Sequence, residues 1–145
     1  MYRYLRTAKP FVLVMAPQCT GMAGWGHFNA VMNPEAHMRS VRVSHHLGRI
    51  CANCAHMQLD GGRRFFNGQP KGSALYHLLE WRRLLLRGVL SCYMDMCMVG
   101  LRSQRKKLLL KKPSELWASH ELLLRRFRIR LCNRRHVHDT IEGGE

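Results

Sequence analysis

The stretch Phe11-Val12-Leu13-Val14-Met15, set between Pro10 and Pro17, decides the fold class. A short, unbroken, β-branched-rich run of this kind suits a strand buried on both faces, as in a parallel sheet. Beyond it, Gly21, Gly24 and Gly26 break any regular period until Asn33-Pro34-Glu35, which reads as a helix N-cap, a first-position proline and a first-turn acid. Leu47, Ile50, Cys51, Cys54 and Gln58 or Leu59 then recur at helical spacing up to Gly61-Gly62, with Gly48 as a candidate interruption.

Arg63-Arg64-Phe65-Phe66-Asn67 predicts a second strand, closed by Gly68-Gln69-Pro70. Leu75, Leu78, Leu79 and Leu86 mark the apolar face of a helix over residues 73–87, with Gly88 just past its end. A third strand is expected over 89–94 and a fourth over 116–118. A basic loop, 102–112, lies between them, and a last helix capped by Ser119 covers 122–124. Strands alternating with helices predict an α/β fold: a partial Rossmann-like, mostly parallel sheet of about four strands with flanking helices and a basic C-terminal tail. The expected boundaries are an α/β domain over 1–124 and a Cys/His-containing basic tail over 125–145.

The chain has 145 residues, of which 46% are hydrophobic, enough for one core. Its 24 Lys+Arg against 9 Asp+Glu give a formal net charge of +15, which favours polyanionic partners, DNA or RNA above all. No apolar run approaches the roughly 18–20 residues of a membrane span. Residues 11–16 are also shorter than the usual signal-peptide apolar region of about 7–15. Six cysteines without a secretory signal are expected to be reduced, metal-bound or catalytic, and the chain is read as intracellular.

Met15-Ala16-Pro17-Gln18-Cys19-Thr20 places a thiol on a proline-fixed turn beyond the first strand. Reactive groups of open α/β sheets collect at that end, so Cys19 is the candidate nucleophile; the alternative is a small core residue. Four further stretches follow in order: Phe65-Phe66-Asn67-Gly68-Gln69-Pro70, Asp95-Met96-Cys97-Met98-Val99-Gly100, Lys111-Lys112-Pro113-Ser114 and Trp117-Ala118-Ser119. This ordered set resembles the cytosine-C5 DNA methyltransferase-like family, in its divergent branch from phages and retroelement polyproteins. There the pattern runs Pro-Pro-Cys-Thr, Glu-Asn-Pro or Glu-His-Pro, Asp-Gln-Cys-x-Tyr/Phe-Gly, Lys-Pro-Thr and Thr-Asn. The resemblance covers about residues 9–119.

It implies that Cys19 matches the thiol that adds to C6 of a flipped-out cytosine, with S-adenosylmethionine as methyl donor. Pro17, Gln69, Pro70 and Lys112 match substrate-binding positions. Two departures point to a degenerate, truncated copy, a pseudoenzyme. Position 68 is Gly where the family has its base-holding glutamate, an acid whose loss costs a factor of about 10²–10⁴. In addition, no Gly-rich cofactor loop precedes Cys19. The chain is accordingly expected to be inactive alone, with neighbouring domains of a longer polyprotein as further partners.

Cys51-Ala52-Asn53-Cys54-Ala55-His56 and Cys132-x₃-His136-x-His138 offer ligand types and spacings for a tetrahedral zinc ion. The first pair also suits a helix interior, where cysteine is an ordinary core residue. The resembling branch likewise ends in a Cys and a His-x-His, which favours the tail cluster; Cys97 is then the fourth candidate ligand. Arg102, Arg105, Lys106, Lys107, Lys111 and Lys112 form one basic cluster, and Arg125, Arg126, Arg128, Arg130, Arg134 and Arg135 a second. Such clusters suit sequence-neutral phosphate contact and nuclear import. The expectations are therefore a methyltransferase-like relic or, alternatively, a nonenzymatic, zinc-stabilised nucleic-acid-binding module in the nucleus.

Overall fold

The computed structural model describes residues 1–24 and 26–141. Helix α1 (Tyr2–Ala8) leads into strand β1 (Val12–Met15), followed by helices α2 (Gly26–Met32) and α3 (Pro34–Asp60). Strand β2 (Arg64–Pro70), a 3₁₀ turn (Ala74–His77), α4 (Leu79–Leu85) and β3 (Leu90–Asp95) come next. A second 3₁₀ turn (Met96–Val99), β4 (Leu109–Leu110), β5 (Pro113–Ala118), α5 (Glu121–Leu124) and β6 (His138–Asp139) complete the order.

The fold is α/β, with a four-stranded sheet in the order β1-β2-β5-β3 and flanking helices, as the sequence pattern predicts. β1 and β2 pair in parallel, Val12 opposite Arg64 through Met15 opposite Asn67. β1 is an edge strand with Val14 and the preceding Phe11 exposed, not the strand buried on both faces that its apolar run predicts, because only one side of it meets the helices and the main core. β5 lies antiparallel to both β2 and β3, so three strands point one way and β5 the other. The reason is the connection. Residues 96–112 hold no crossover helix, and a chain without one returns at the end it left, so Asp95 faces Pro113 across the β3–β5 pair.

The long helix α3 behaves at its start as the sequence suggests. Asn33 Oδ1 accepts from Ala36 N at 3.1 Å, and Pro34 opens the first turn. Gly48 does not interrupt it. A Cβ there would lie 3.0 Å from Leu78 Cδ1 and 3.3 Å from Leu75 Cδ1, and the Gly48 carbonyl accepts from Trp81 Nε1 at 2.9 Å. The glycine lets the α4 layer approach closely. The helix expected over 73–87 is instead split at Leu78, whose extended backbone (φ −61°, ψ 141°) separates the 3₁₀ turn from α4. His120 rather than Ser119 caps α5, its Nδ1 accepting from Leu122 N, while Ser119 Oγ accepts from Phe65 N.

Two apolar clusters sandwich the sheet. One joins Phe65 and Trp117 to Leu5, Cys54, Leu75, Trp81 and Leu84 beneath α1, α3 and α4. There the Tyr76 ring stacks on Trp117 at 4.4 Å, with Trp81 edge-on to both. The other cluster gathers Met94, Leu116, Ala118 and Leu124 on the opposite face, with Phe66 and Phe127 packed against it. The polar groups buried between strands are paired. Gln58 Nε2 donates to the Pro10 and Arg64 carbonyls, and Asn67 donates to the Met15 carbonyl while its Oδ1 accepts from the Tyr76 hydroxyl at 2.8 Å.

The close approach at Gly48 makes a direct prediction. Gly48→Val is expected to lower unfolding free energy by about 1–3 kcal/mol through overpacking. In the same urea denaturation series, Gly24→Ala, whose Cβ meets open space, is expected to change it by less than about 0.5 kcal/mol.

Candidate metal centre

The 3₁₀ turn after β3 closes with Gly100 in the left-handed region (φ +90°), where a side chain would be strained. This tight turn presents Cys97 inward, 4% exposed. Residues 125–141 return to the same place. The Asp95 N–H donates to the Arg130 carbonyl at 2.9 Å, and Asp95 Oδ2 accepts from Cys132 N at 2.8 Å. Past Cys132 the chain turns at Arg134 (φ +60°), and β6 then pairs in parallel with β4, His138 opposite Leu109. Lys106 Nζ donates to Asp139 Oδ1 at 2.9 Å, the first cause of that carboxyl lying below its usual range.

The Cys97, Cys132, His136 and His138 ligand atoms consequently all lie within 4.8 Å of one another. Cys132 Sγ is 3.4 Å from His138 Nε2 and 3.6 Å from His136 Nε2. The four tail-cluster candidates named from the sequence thus meet at one point. This Cys/His group can hold a metal ion: neighbouring ligand atoms of a tetrahedral site with metal bonds of about 2.0–2.3 Å stand roughly 3.3–3.8 Å apart. Arg134 N, 3.4 Å from Cys132 Sγ, supplies the kind of outer donor that orients a metal-bound sulfur.

The other cysteine pair does not join them. Cys51 and Cys54 are buried on α3 in the main core, and burial pushes the Cys51 thiol up to about 11. His56 is engaged elsewhere, with Nε2 at the Glu80 carbonyl and Nδ1 beside Arg87.

Cys19 lies half-buried on the turn after β1. Burial raises its thiol above the usual value, an effect that the Lys112 charge opposes. Gln69 Nε2 donates to the Pro17 carbonyl at 3.0 Å, tying the end of β2 to that turn. A cavity of about 360 Å³ opens on the Phe127 side of the sheet. Gly68, Gln69, Pro70 and Lys112 line it, together with Phe66 and Met94. Pro17 and Cys19 are not among its lining residues, so the nucleophile candidate sits beside this hollow rather than in it.

Of the glycines after β1, Gly21 is the closely packed one, while Gly24 faces open space. A Cβ at Gly21 would fall 2.5 Å from Val41 N, so this glycine serves close packing of the loop on α3, not phosphate or nucleoside approach. No known protein family, curated protein or solved structure matches the chain.

Asp95 opens the Asp95–Gly100 stretch quoted for the resemblance, but sequence reasoning gave it no role of its own; the structure has it hold Cys132. Asp95→Ala removes the acceptor that holds Cys132. It is expected to weaken zinc or cobalt binding by about 10–100-fold in chelator competition, with far-UV circular dichroism unchanged. Because uptake displaces thiol protons, affinity should also fall as pH is lowered.

Proposed function

We propose that the chain is a basic, zinc-stabilised nucleic-acid-binding module carried on a methyltransferase-like scaffold. The observation that carries this reading is the meeting of four sulfur and nitrogen ligand atoms within 4.8 Å, three of them from the arginine-rich tail. Two thiols with two imidazoles suit zinc among the available divalent ions. With four protein ligands no coordination position is left open, the arrangement of a structural site rather than a catalytic one.

Basic residues of two segments come near each other at this centre. Arg125, Arg126, Arg128, Arg130, Arg134 and Arg135 are all exposed along the tail. The β4–β6 pairing and the Lys106–Asp139 ion pair bring the 102–112 loop alongside them. Arg128 is partly engaged by Glu121 at 3.2 Å. Lys and Arg spread over two segments neutralise phosphates without reading bases. Nuclear residence and attachment to further polyprotein domains accord with the same reading. No helix among the described residues is long and apolar enough to cross a membrane.

Zinc at one per chain by elemental analysis, lost in Cys132→Ser, is the expected result. Fluorescence anisotropy with oligonucleotides of unrelated sequence should give similar affinities that fall steeply with salt. Replacing Arg134 and Arg135 by Ala should flatten the log K against log salt slope by about 2. Salt-independent binding, or none, would overturn the reading.

A second reading, a cytosine methyltransferase relic, draws on the Gln69–Pro17 link and on the hollow lined by Gly68, Pro70 and Lys112. Gly68 offers no carboxyl toward the base, and a Glu Cβ there would meet Leu116 Cδ2 at 3.3 Å. A relic is expected to form no Cys19-dependent covalent adduct with DNA containing 5-fluorocytosine, in contrast to an active enzyme. An adduct abolished in Cys19→Ser would restore catalysis to the assignment.

A further inference from the structure

The metal centre joins two segments far apart in sequence, and each supplies one thiol. Cys97 comes from the turn after β3 and is 4% exposed, whereas Cys132 comes from the tail and is half-buried. Their sulfur atoms are no more than 4.8 Å apart. A disulfide needs about 2.05 Å, so the two sulfurs must close by roughly 3 Å or less. Among the remaining cysteines, Cys51 and Cys54 sit on α3 within the main apolar cluster, away from solvent, and Cys19 and Cys92 are half-buried.

We infer that Cys97 and Cys132 form an oxidation site in which a disulfide and the metal ion exclude one another. The inference rests on the metal reading above and deepens it by naming what regulates the centre. The co-reactant is a peroxide. The Cys132 sulfur attacks one peroxide oxygen; the O–O bond breaks, the thiol proton leaves with the departing oxygen as water, and a sulfenic acid remains. The Cys97 sulfur then attacks that sulfur. The S–S bond forms, the S–O bond breaks, and the oxygen leaves as a second water with the Cys97 proton. Two thiols lose two electrons and one peroxide gains them. A bound metal ion ties up both sulfurs and slows the first step; once the disulfide has formed, only the two histidines remain as ligands.

The oxidised tail is not released as a whole. The new bond holds Cys132 beside the sheet, and Arg125 to Arg130 stay with Phe127 on the second apolar cluster. His136 and His138 lose their shared ion, leaving residues 133–139 held by the two-residue β4–β6 pairing and the Lys106–Asp139 ion pair. Arg134 and Arg135 lose their fixed positions while the other tail arginines keep theirs. Oxidation therefore lowers polyanion affinity in part rather than abolishing it.

The test treats the full chain with hydrogen peroxide in two forms, zinc-loaded and chelator-stripped. It follows metal release with a chromophoric chelator, intact mass, and the disulfide map after digestion. The expected result is a loss of about 2 Da per chain, with a peptide joining Cys97 to Cys132. That product should appear faster in the stripped form and, in the loaded form, in step with one zinc released. Cys97→Ser should stop at a dimedone-reactive Cys132. A different pairing, or oxygen addition at Cys132 with no crosslink, overturns the inference. So does the disulfide forming while zinc stays bound. If the chain takes up no zinc, the metal reading fails by itself and the disulfide map of the peroxide-treated chain still decides the oxidation site.

Discussion

Strand β5 is the constraint on which the rest of the molecule depends. It is hydrogen-bonded on both sides, to β2 and to β3, and it buries Trp117 on one face and Leu116 and Ala118 on the other. Because it runs against its neighbours, the excursion that precedes it must begin and end at one edge of the sheet. Cys97 and the basic loop are held at that edge, and the tail returns to it through Asp95. The candidate metal ligands and the basic loop owe their meeting place to strand direction.

Much of this was legible in the sequence, for identifiable reasons. The apolar run at residues 11–15, the Asn33-Pro34 start and the Gly61-Gly62 stop are local signals, and they place the strand and the long helix, although an apolar run does not reveal that β1 lies at the sheet edge rather than buried on both faces. The four strands and the flanking helices follow from the alternation of periods. What local pattern could not supply was strand sense. The direction of β5 is set by the absence of a helix in 96–112, and its six-residue length exceeds the Leu-Trp-Ala core because Pro113 and Ser114 pair at the sheet's end. The split at Leu78 was hidden for a similar reason, since Leu75, Leu78 and Leu79 keep a helical spacing across it.

The candidate site divides in the same way. Cys132, His136 and His138 stand close in sequence with ligand spacing, so their convergence needs only a turn. Cys97 is 35 residues earlier (132 − 97), and nothing in the periodicity joins it to them. The link is made by Asp95, a polar clamp of side chain to backbone that no hydrophobic pattern encodes. Conversely, Cys51-x₂-Cys54 carried a metal-like spacing that burial in the α3 core makes ordinary. The charge balance fits the arrangement as well. Two thiolates and a divalent cation sum to zero, so such a centre fastens an arginine-rich tail to a chain of formal charge +15 without adding to its self-repulsion.

Strand β1 has one hydrogen-bonded neighbour in the sheet, and Val14 on it is 70% exposed. An apolar, half-open edge of that kind is a template onto which a second chain can add by strand pairing, the first step toward fibrils. Here the hazard is confined by length and by imino acids. Only four residues are extended, and Pro10 and Pro17, which lack an N–H to donate, stand just outside either end. The same two prolines that define the strand at the sequence level thus leave too short a stretch for a stacked ribbon to grow.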